Sequence, residues 1–366
     1  MQDKSFVERL FTLRYLLITS IIFLFLRLLF VLFFTHDIHF VEDYRIAENI
    51  VKGIGFVNNQ DIGPTAMKVP MYPLLVAFFV LIFGVSGKLY LILFQHLLMS
   101  CIPFLFYLLS KEEKQEKLGF IAGYLFLLYP SYFYYPSIIE VTNLFVPLSV
   151  LWCIFGLRTF KNEKMTDVII TGILSGILIL TQPIIAPLIL VFLITLVIKK
   201  NYTKSIIILF LICIVMTPWV IRNYNSFGRF IPTKSAIWSN IYVGIKTEEY
   251  PLIANDKDML TQSRRIDSLD AKMNDVVMQK EFKQFVVKFV QEHPGDYLKS
   301  CTERLIQYWS IPKNYFNNSD VKFLLVRTIP VFILNILFIF GIFILWRMNR
   351  KYAIIIISVL IYFTIV

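Results

Sequence analysis

The sequence predicts an all-α polytopic membrane protein, and two observations predict it. Its 366 residues are 57% hydrophobic and only 17% charged, against about 45–50% and about 25% in soluble domains. Apolar runs, several of them near the ~20 residues that a helix needs to cross a bilayer, recur along the chain between short basic turns. The 16% aromatic content, with 35 Phe and 19 Tyr, suits lipid-facing surfaces and interfacial belts. This class excludes a soluble enzyme. A net charge of +11 would suggest nucleic acid in a soluble chain. Here topology-setting Lys and Arg, with anionic lipid, account for it, so no nucleic-acid partner is expected.

The first span is Tyr15–Phe34, preceded by Lys4, Arg9 and Arg14. It is too long, and lacks the small-residue cleavage site, for a signal peptide, and the positive-inside bias puts its N-terminus in the cytoplasm. Residues 36–86 therefore form a first external loop. Six further spans follow: Leu89–Leu109, Leu118–Tyr129, Ser137–Leu157, Val168–Leu180, Ile184–Ile198 and Ile206–Val220. The basic turns Lys111–Lys117, Arg158–Lys164 and Lys199–Lys204 fall between them. With those turns cytoplasmic, Pro130–Pro136 and Gln182 mark external tips. Parity then makes Pro70–Val85 start and end outside, as a juxtamembrane or re-entrant helix packed on protein. The alternative is a full span with one basic loop reversed.

Ile221–Lys322 is a long external loop domain. Within it, Phe282, Phe285, Val286, Phe289 and Val290 recur with helical period along Glu281–His293, and Tyr297–Trp309 reads as another helix. Phe323–Trp346 and Tyr352–Val366 complete about nine spans. The last stops inside an apolar run, which reads as a truncated chain. The expected organisation is thus a membrane core over 1–220, an external domain over 221–322, and C-terminal spans over 323–366. No internal repeat of the kind seen in many transporters is visible.

Cys101, Cys153, Cys213 and Cys301 form no Cys-Xaa-Xaa-Cys or metal-ligand spacing with the four histidines, and read as unpaired packing residues. His36 and His39 stand apart from other ligands. No metal and no cofactor are expected. Asn317-Asn318-Ser319 fits the three-residue glycosylation acceptor pattern.

Chemistry concentrates in the first external loop, where Glu42, Asp43, Asp61 and Lys68 sit among glycines and prolines. A carboxylate pair just outside a membrane helix, followed by a lysine, suggests work on an anionic lipid headgroup. Each residue also has a plainer reading. Asp43 is a favoured N-cap residue for a helix over Tyr44–Lys52. Lys68 also reads as a snorkelling lysine, and Arg222, after Trp219, as an interfacial anchor. Glu140 lies at membrane depth, which by default makes it a functional hypothesis, with a structural ion pair to Lys68 or Arg222 as its equal. Tyr129, Tyr132, Tyr134 and Tyr135 crowd one tip and read first as an aromatic belt, then as a sugar-stacking surface.

Three stretches resemble a known family. Asp43-Tyr44 with Ala47 and Asn49, Gly53-Ile54-Gly55-Phe56, Pro64-Thr65-Ala66 and Val69-Pro70-Met71-Tyr72-Pro73-Leu74 resemble the first external loop of bacterial glycosyltransferase family 39 proteins, relatives of protein O-mannosyltransferases and the lipid A aminoarabinose transferase. Thr217-Pro218-Trp219-Val220-Ile221-Arg222-Asn223-Tyr224 with Phe227-Gly228 is similar to the start of that family's long external loop. His293-Pro294, Tyr297-Leu298, Arg304-Leu305 and Trp309 are similar to its later helices.

The resemblance implies a GT-C fold and transfer of a sugar from a polyprenyl-phosphate donor to an external acceptor. It also implies an aspartate base in the first loop and cations that hold the donor phosphate. The matching positions are Asp43 and Lys68, with Arg222 as a second cation and Glu140, Tyr72 and Gln182 orienting acceptor or site. The order Glu42-Asp43-Tyr44 departs from that of several relatives, leaving Asp43, Glu42 and Asp37 as candidate bases. Gln182 stands where many relatives carry Arg. One base and a phosphate cradle suffice, because a phosphodiester leaves without the second carboxylic acid that glycoside hydrolysis needs. The expected setting is a bacterial inner membrane, with the site on the extracytoplasmic face. The alternatives are a lipid-linked glycan transporter and a non-catalytic membrane assembly subunit.

Overall fold

A computed structural model of the chain describes residues 6–34, 42–246, 257–270, 272–310, 321–348 and 350–365. It is a helical protein with one small hairpin, and it divides into two compact units, Met1–Lys234 and Ser235–Val366. His36, Asp37, His39 and Asn317–Ser319 lie outside the described residues.

The first unit contains α1 (Phe6–Leu10), α2 (Leu13–Phe34), α3 (Glu42–Val51), β1 (Val57–Asn59), β2 (Gly63–Pro64), α4 (Met71–Phe83), α5 (Gly87–Glu112), α6 (Glu116–Leu128), α7 (Ser131–Tyr134), α8 (Thr142–Lys161), α9 (Met165–Thr181), α10 (Ala186–Ile198) and α11 (Tyr202–Phe227). Long apolar helices are what lipid demands, because only a helix satisfies its own backbone there. Among the described residues, five stretches are long and apolar enough to cross a membrane: Leu13–Phe33, Met71–Glu112, Thr142–Lys161, Tyr202–Phe227 and Thr328–Met348. The helices Met165–Thr181 and Pro183–Ile198 are apolar but shorter. This is an all-α integral membrane protein, with five stretches of spanning length among the described residues where the sequence suggests about nine.

Met71–Glu112 passes as one long apolar run, yet it is bent into a hairpin. The 3₁₀ turn Gly84–Ser86 separates α4 from α5. The chain then folds back, so that Phe83 stacks on Tyr90 at 4.0 Å and Phe79 meets Phe94 at 5.3 Å. Gly87 permits the fold: a Cβ there would lie 2.6 Å from the Phe79 carbonyl oxygen. With 13 residues, α4 reaches only ~20 Å at 1.5 Å per residue, short of the ~30 Å hydrocarbon core.

The three basic turns meet at one end of the bundle. Arg158 pairs with Glu112 at 2.8 Å and Lys161 with Glu113 at 2.9 Å. Lys204 donates to the carbonyls of Thr159 and Asn162. The helices α9 and α11 start at that end, so Gln182 and Arg222 are carried to the opposite one. Between them runs a close packing of small residues, the usual device for bringing helices together in lipid. Gly176 stands where a Cβ would be 2.7 Å from that of Val215, and Trp152 on α8 donates to Ser175 at 2.8 Å.

Two helix limits that place candidate site residues differ from the sequence expectation. The span expected from Ser137 begins only at Thr142, because Gln95 and Asn143 hold the carbonyls of Tyr135, Pro136 and Ile138 outside helical geometry. Glu140 therefore sits in a turn ahead of α8, not in its first turn. Conversely, α11 continues past Val220 to Phe227 and stops at Gly228, which takes the left-handed conformation (φ 63°) common after helix ends. Arg222 and Asn223 thus project from a rigid helix.

The second unit contains α12 (Ile237–Lys246), α13 (Lys257–Asp270), α14 (Asp275–Glu292), α15 (Pro294–Trp309), α16 (Val321–Met348) and α17 (Arg350–Ile365). The stripe Phe282, Phe285, Val286 and Phe289 is buried against Tyr242, Ile245, Met259 and Ile266. The helix carrying that stripe starts at Asp275, ahead of the expected Glu281, because the Asn274 side chain caps the Val276 amide at 2.9 Å.

Candidate functional site

Asp43 lies in the first turn of α3, inside the helix rather than capping it, and is 3% exposed. Tyr44 and Ala47 on the same helix pack with Tyr72, Val76, Ala77, Leu91 and Ile139. Packing against α4 and α5 therefore fixes which way α3 presents its acid. The loop that returns from α3 is built on Asn49. Its side chain donates to the Val57 carbonyl at 2.8 Å and accepts from Gln60 at 2.8 Å. Gly53 and Gly55 turn the chain with φ of 77° and 101°, values that favour glycine. Beyond the β1–β2 hairpin, Thr65 accepts from the Met67 amide, and Lys68 comes back over α3.

Lys68 Nζ stands 3.5 Å from Asp43 and 3.4 Å from Glu42. Burial pushes the Asp43 carboxyl above its ordinary value of 3.8, a rise that Lys68 opposes but does not cancel. Burial pulls Lys68 down, but Asp43, Glu42 and Glu140 together outweigh it and leave the ammonium above its ordinary value. Glu140 is also pushed up, mainly by burial, with Lys68 opposing and Asp43 adding. The structure thus brings Asp43, Glu42, Lys68 and Glu140 within one electrostatic neighbourhood.

Tyr72 stands behind them. Its hydroxyl donates to Gln95 Oε1 at 2.5 Å, and Gln95 donates on to the carbonyls of Pro136 and Ile138 at 2.8 and 3.0 Å. This latch ties the start of α4, just after Lys68, to the turn carrying Glu140. Gln95 is buried and was not singled out from the sequence. The polar pair Gln95-His96 inside an apolar run was its visible signal.

Arg222 has an occupation the sequence reading did not foresee. Its guanidinium donates to the carbonyls of Phe56 and Thr65, each at 2.8 Å, and to Asn223. It also lies over the rings of Phe56, Trp219 and Phe227. These contacts staple the first loop to α11. Arg222→Gln is expected to lower stability by about 2 kcal/mol, the scale of hydrogen bonds to a charged group. The measurements are thermal unfolding in detergent and faster proteolysis within residues 53–66. Gln182 caps α9 in extended backbone ahead of the turn Pro183–Ile185. No side-chain hydrogen bond links it to the cluster among the described residues.

Lys234 was not singled out from the sequence. It stands close enough to Lys68 and Asp43 to feel both charges. A single lysine after Pro232-Thr233 carries no sequence signal, and its place follows from bonds made by α11. Among the described residues no cluster of His, Cys, Asp or Glu is arranged to hold a metal ion. The four cysteines are free.

Residues 65–221 match the family model described as dolichyl-phosphate-mannose-protein mannosyltransferase, and this match supports a membrane glycosyltransferase of the GT-C type. The matched segment contains Lys68, Tyr72, Glu140 and Gln182. No curated protein matches the chain significantly.

Proposed function

We propose that this protein transfers a sugar from a polyprenyl-phosphate donor to an acceptor on the extracytoplasmic face, inverting the anomeric carbon. The acceptor is a lipid, glycan or protein, and the membrane a bacterial inner membrane. The observation that carries the reading is the buried Asp43 carboxylate held beside Lys68. Burial has a chemical use here: a carboxylate shielded from water is a stronger base, and a site emptied of water does not hydrolyse the donor.

In the step proposed, an acceptor hydroxyl or amine attacks the anomeric carbon from the side opposite the phosphate. Asp43 takes the acceptor proton during attack. The bond from the anomeric carbon to the phosphate oxygen breaks, its electron pair stays on that oxygen, and polyprenyl phosphate departs. Lys68 holds the phosphate. Glu140, latched through Tyr72 and Gln95, orients the acceptor, with Glu42 sharing the charge of Lys68. Arg222 serves by holding the loop. The step needs no metal.

The test is turnover by purified protein in nanodiscs, with a panel of polyprenyl-phosphate sugars and membrane extract as acceptor source. Release of polyprenyl phosphate coupled to an extract-borne labelled product is expected for at least one donor. Binding of donors without release would turn attention to the transporter reading. Binding of none would favour a non-catalytic subunit.

A further inference from the structure

We infer that Lys234 is the second cation of the phosphate site, held for the negative charge that appears on the leaving group; this rests on the donor reading above. A polyprenyl-phosphate sugar is a phosphodiester with one negative charge. When its bond to the anomeric carbon breaks, the phosphate becomes a monoester carrying about −1.5 to −2 near neutral pH. A cation that meets only the added charge favours the transition state and product over the ground state, and such a group speeds the chemical step.

Lys68 is poorly placed to do this alone, since Glu42 and Asp43 already flank it at 3.4 and 3.5 Å. Lys234 is half-buried, and neither a hydrogen bond nor an ion pair engages it among the described residues. Two ammonium groups close together repel, and they do so less when an anion lies between them. Burial first, and the Lys68 charge second, push Lys234 below its ordinary value, with Asp43 opposing.

The frame that delivers both lysines is one turn of α11. Trp219 Nε1 donates to the Thr233 carbonyl at 2.7 Å, and Asn223 donates to the Ile231 carbonyl at 2.8 Å. Between them Arg222 donates to the Thr65 carbonyl, three residues before Lys68. A rigid helix end thus holds two loops at once, each bearing one lysine. This bracket is why Lys234 is within reach of the cluster although Lys68 lies far from it in sequence.

The experiment compares two lipids bound by the full chain in nanodiscs: a polyprenyl monophosphate, and the methyl diester of the same phosphate, which cannot take the second charge. The parent is expected to prefer the monophosphate, and the preference to grow as pH rises through ~6, where a phosphomonoester loses its second proton. Lys234→Met should weaken monophosphate binding about tenfold, the scale of one charge-assisted contact, and leave the diester within about threefold. Lys234→Arg should restore the preference. Equal loss for both lipids would mean a general structural or electrostatic role, and unchanged binding would mean no role; either overturns the inference and leaves the donor reading standing. A parent that binds neither lipid overturns both.

Discussion

Asp43→Asn is expected to reduce sugar transfer by about 10²–10⁴-fold, the range of a lost general base, at nearly unchanged donor affinity. Asparagine keeps the size of the side chain, so the packing of α3 on α4 and α5 survives, and thermal unfolding should stay close to that of the parent. The parent's pH profile provides an independent check. Burial holds the Asp43 carboxyl above 3.8, and the base works only when ionised. Activity should therefore fall on the acid side at a pH above the ordinary aspartate range, and that limb should vanish from the residual activity of Asp43→Asn. Equal turnover by mutant and parent would remove Asp43 from the chemistry and pass the role to Glu42 or Asp37.

Lys68→Met carries the second large effect. The ammonium has two jobs in the proposed step, holding the phosphate and lowering the proton affinity of a buried acid. Truncating one partner of a buried charge pair removes about 2–5 kcal/mol, so catalytic efficiency should drop by roughly two orders of magnitude or more. The sign of the pH effect follows from the same contact. Lys68 opposes the burial-driven rise at Asp43, so its loss raises that carboxyl further and moves the acid limb to higher pH. A snorkelling lysine with no partner in the site would leave the limb in place. Donor affinity and the pH profile, measured together, separate the two roles: Lys68→Arg should recover much of the first and keep the limb near its parent position.

The class of the protein was legible from composition and spacing alone. A chain with long apolar runs must fold as helices in lipid, whatever its tertiary contacts, because no water is present to satisfy the backbone. The loop bearing Asp43 and Lys68 was legible too, as a polar island between apolar runs. The parity of the basic turns makes Pro70–Val85 a juxtamembrane or re-entrant helix; the structure shows a 13-residue α4 that turns back along α5, a geometry that a re-entrant helix and a full span share. The ion pairs joining Glu112 and Glu113 to Arg158 and Lys161 bring the basic turns to one end, as that argument required.

Tertiary structure decided what each polar group does. Arg222 looks like a free interfacial cation in one dimension, yet its guanidinium is taken up by two carbonyls about 160 residues earlier in the chain. Asp43 looks like a helix cap, but packing of Tyr44 and Ala47 turns it inward to Lys68. Glu140 left its helix because Gln95, on another helix, bonds the turn before it. Lys234 gained its place only because Trp219 and Asn223 hold the chain after α11. In each case the deciding contact is a directional hydrogen bond or burial between segments far apart in the chain. Local hydropathy and spacing report how a segment meets lipid and water; they do not report which distant carbonyl or carboxylate will meet a given side chain.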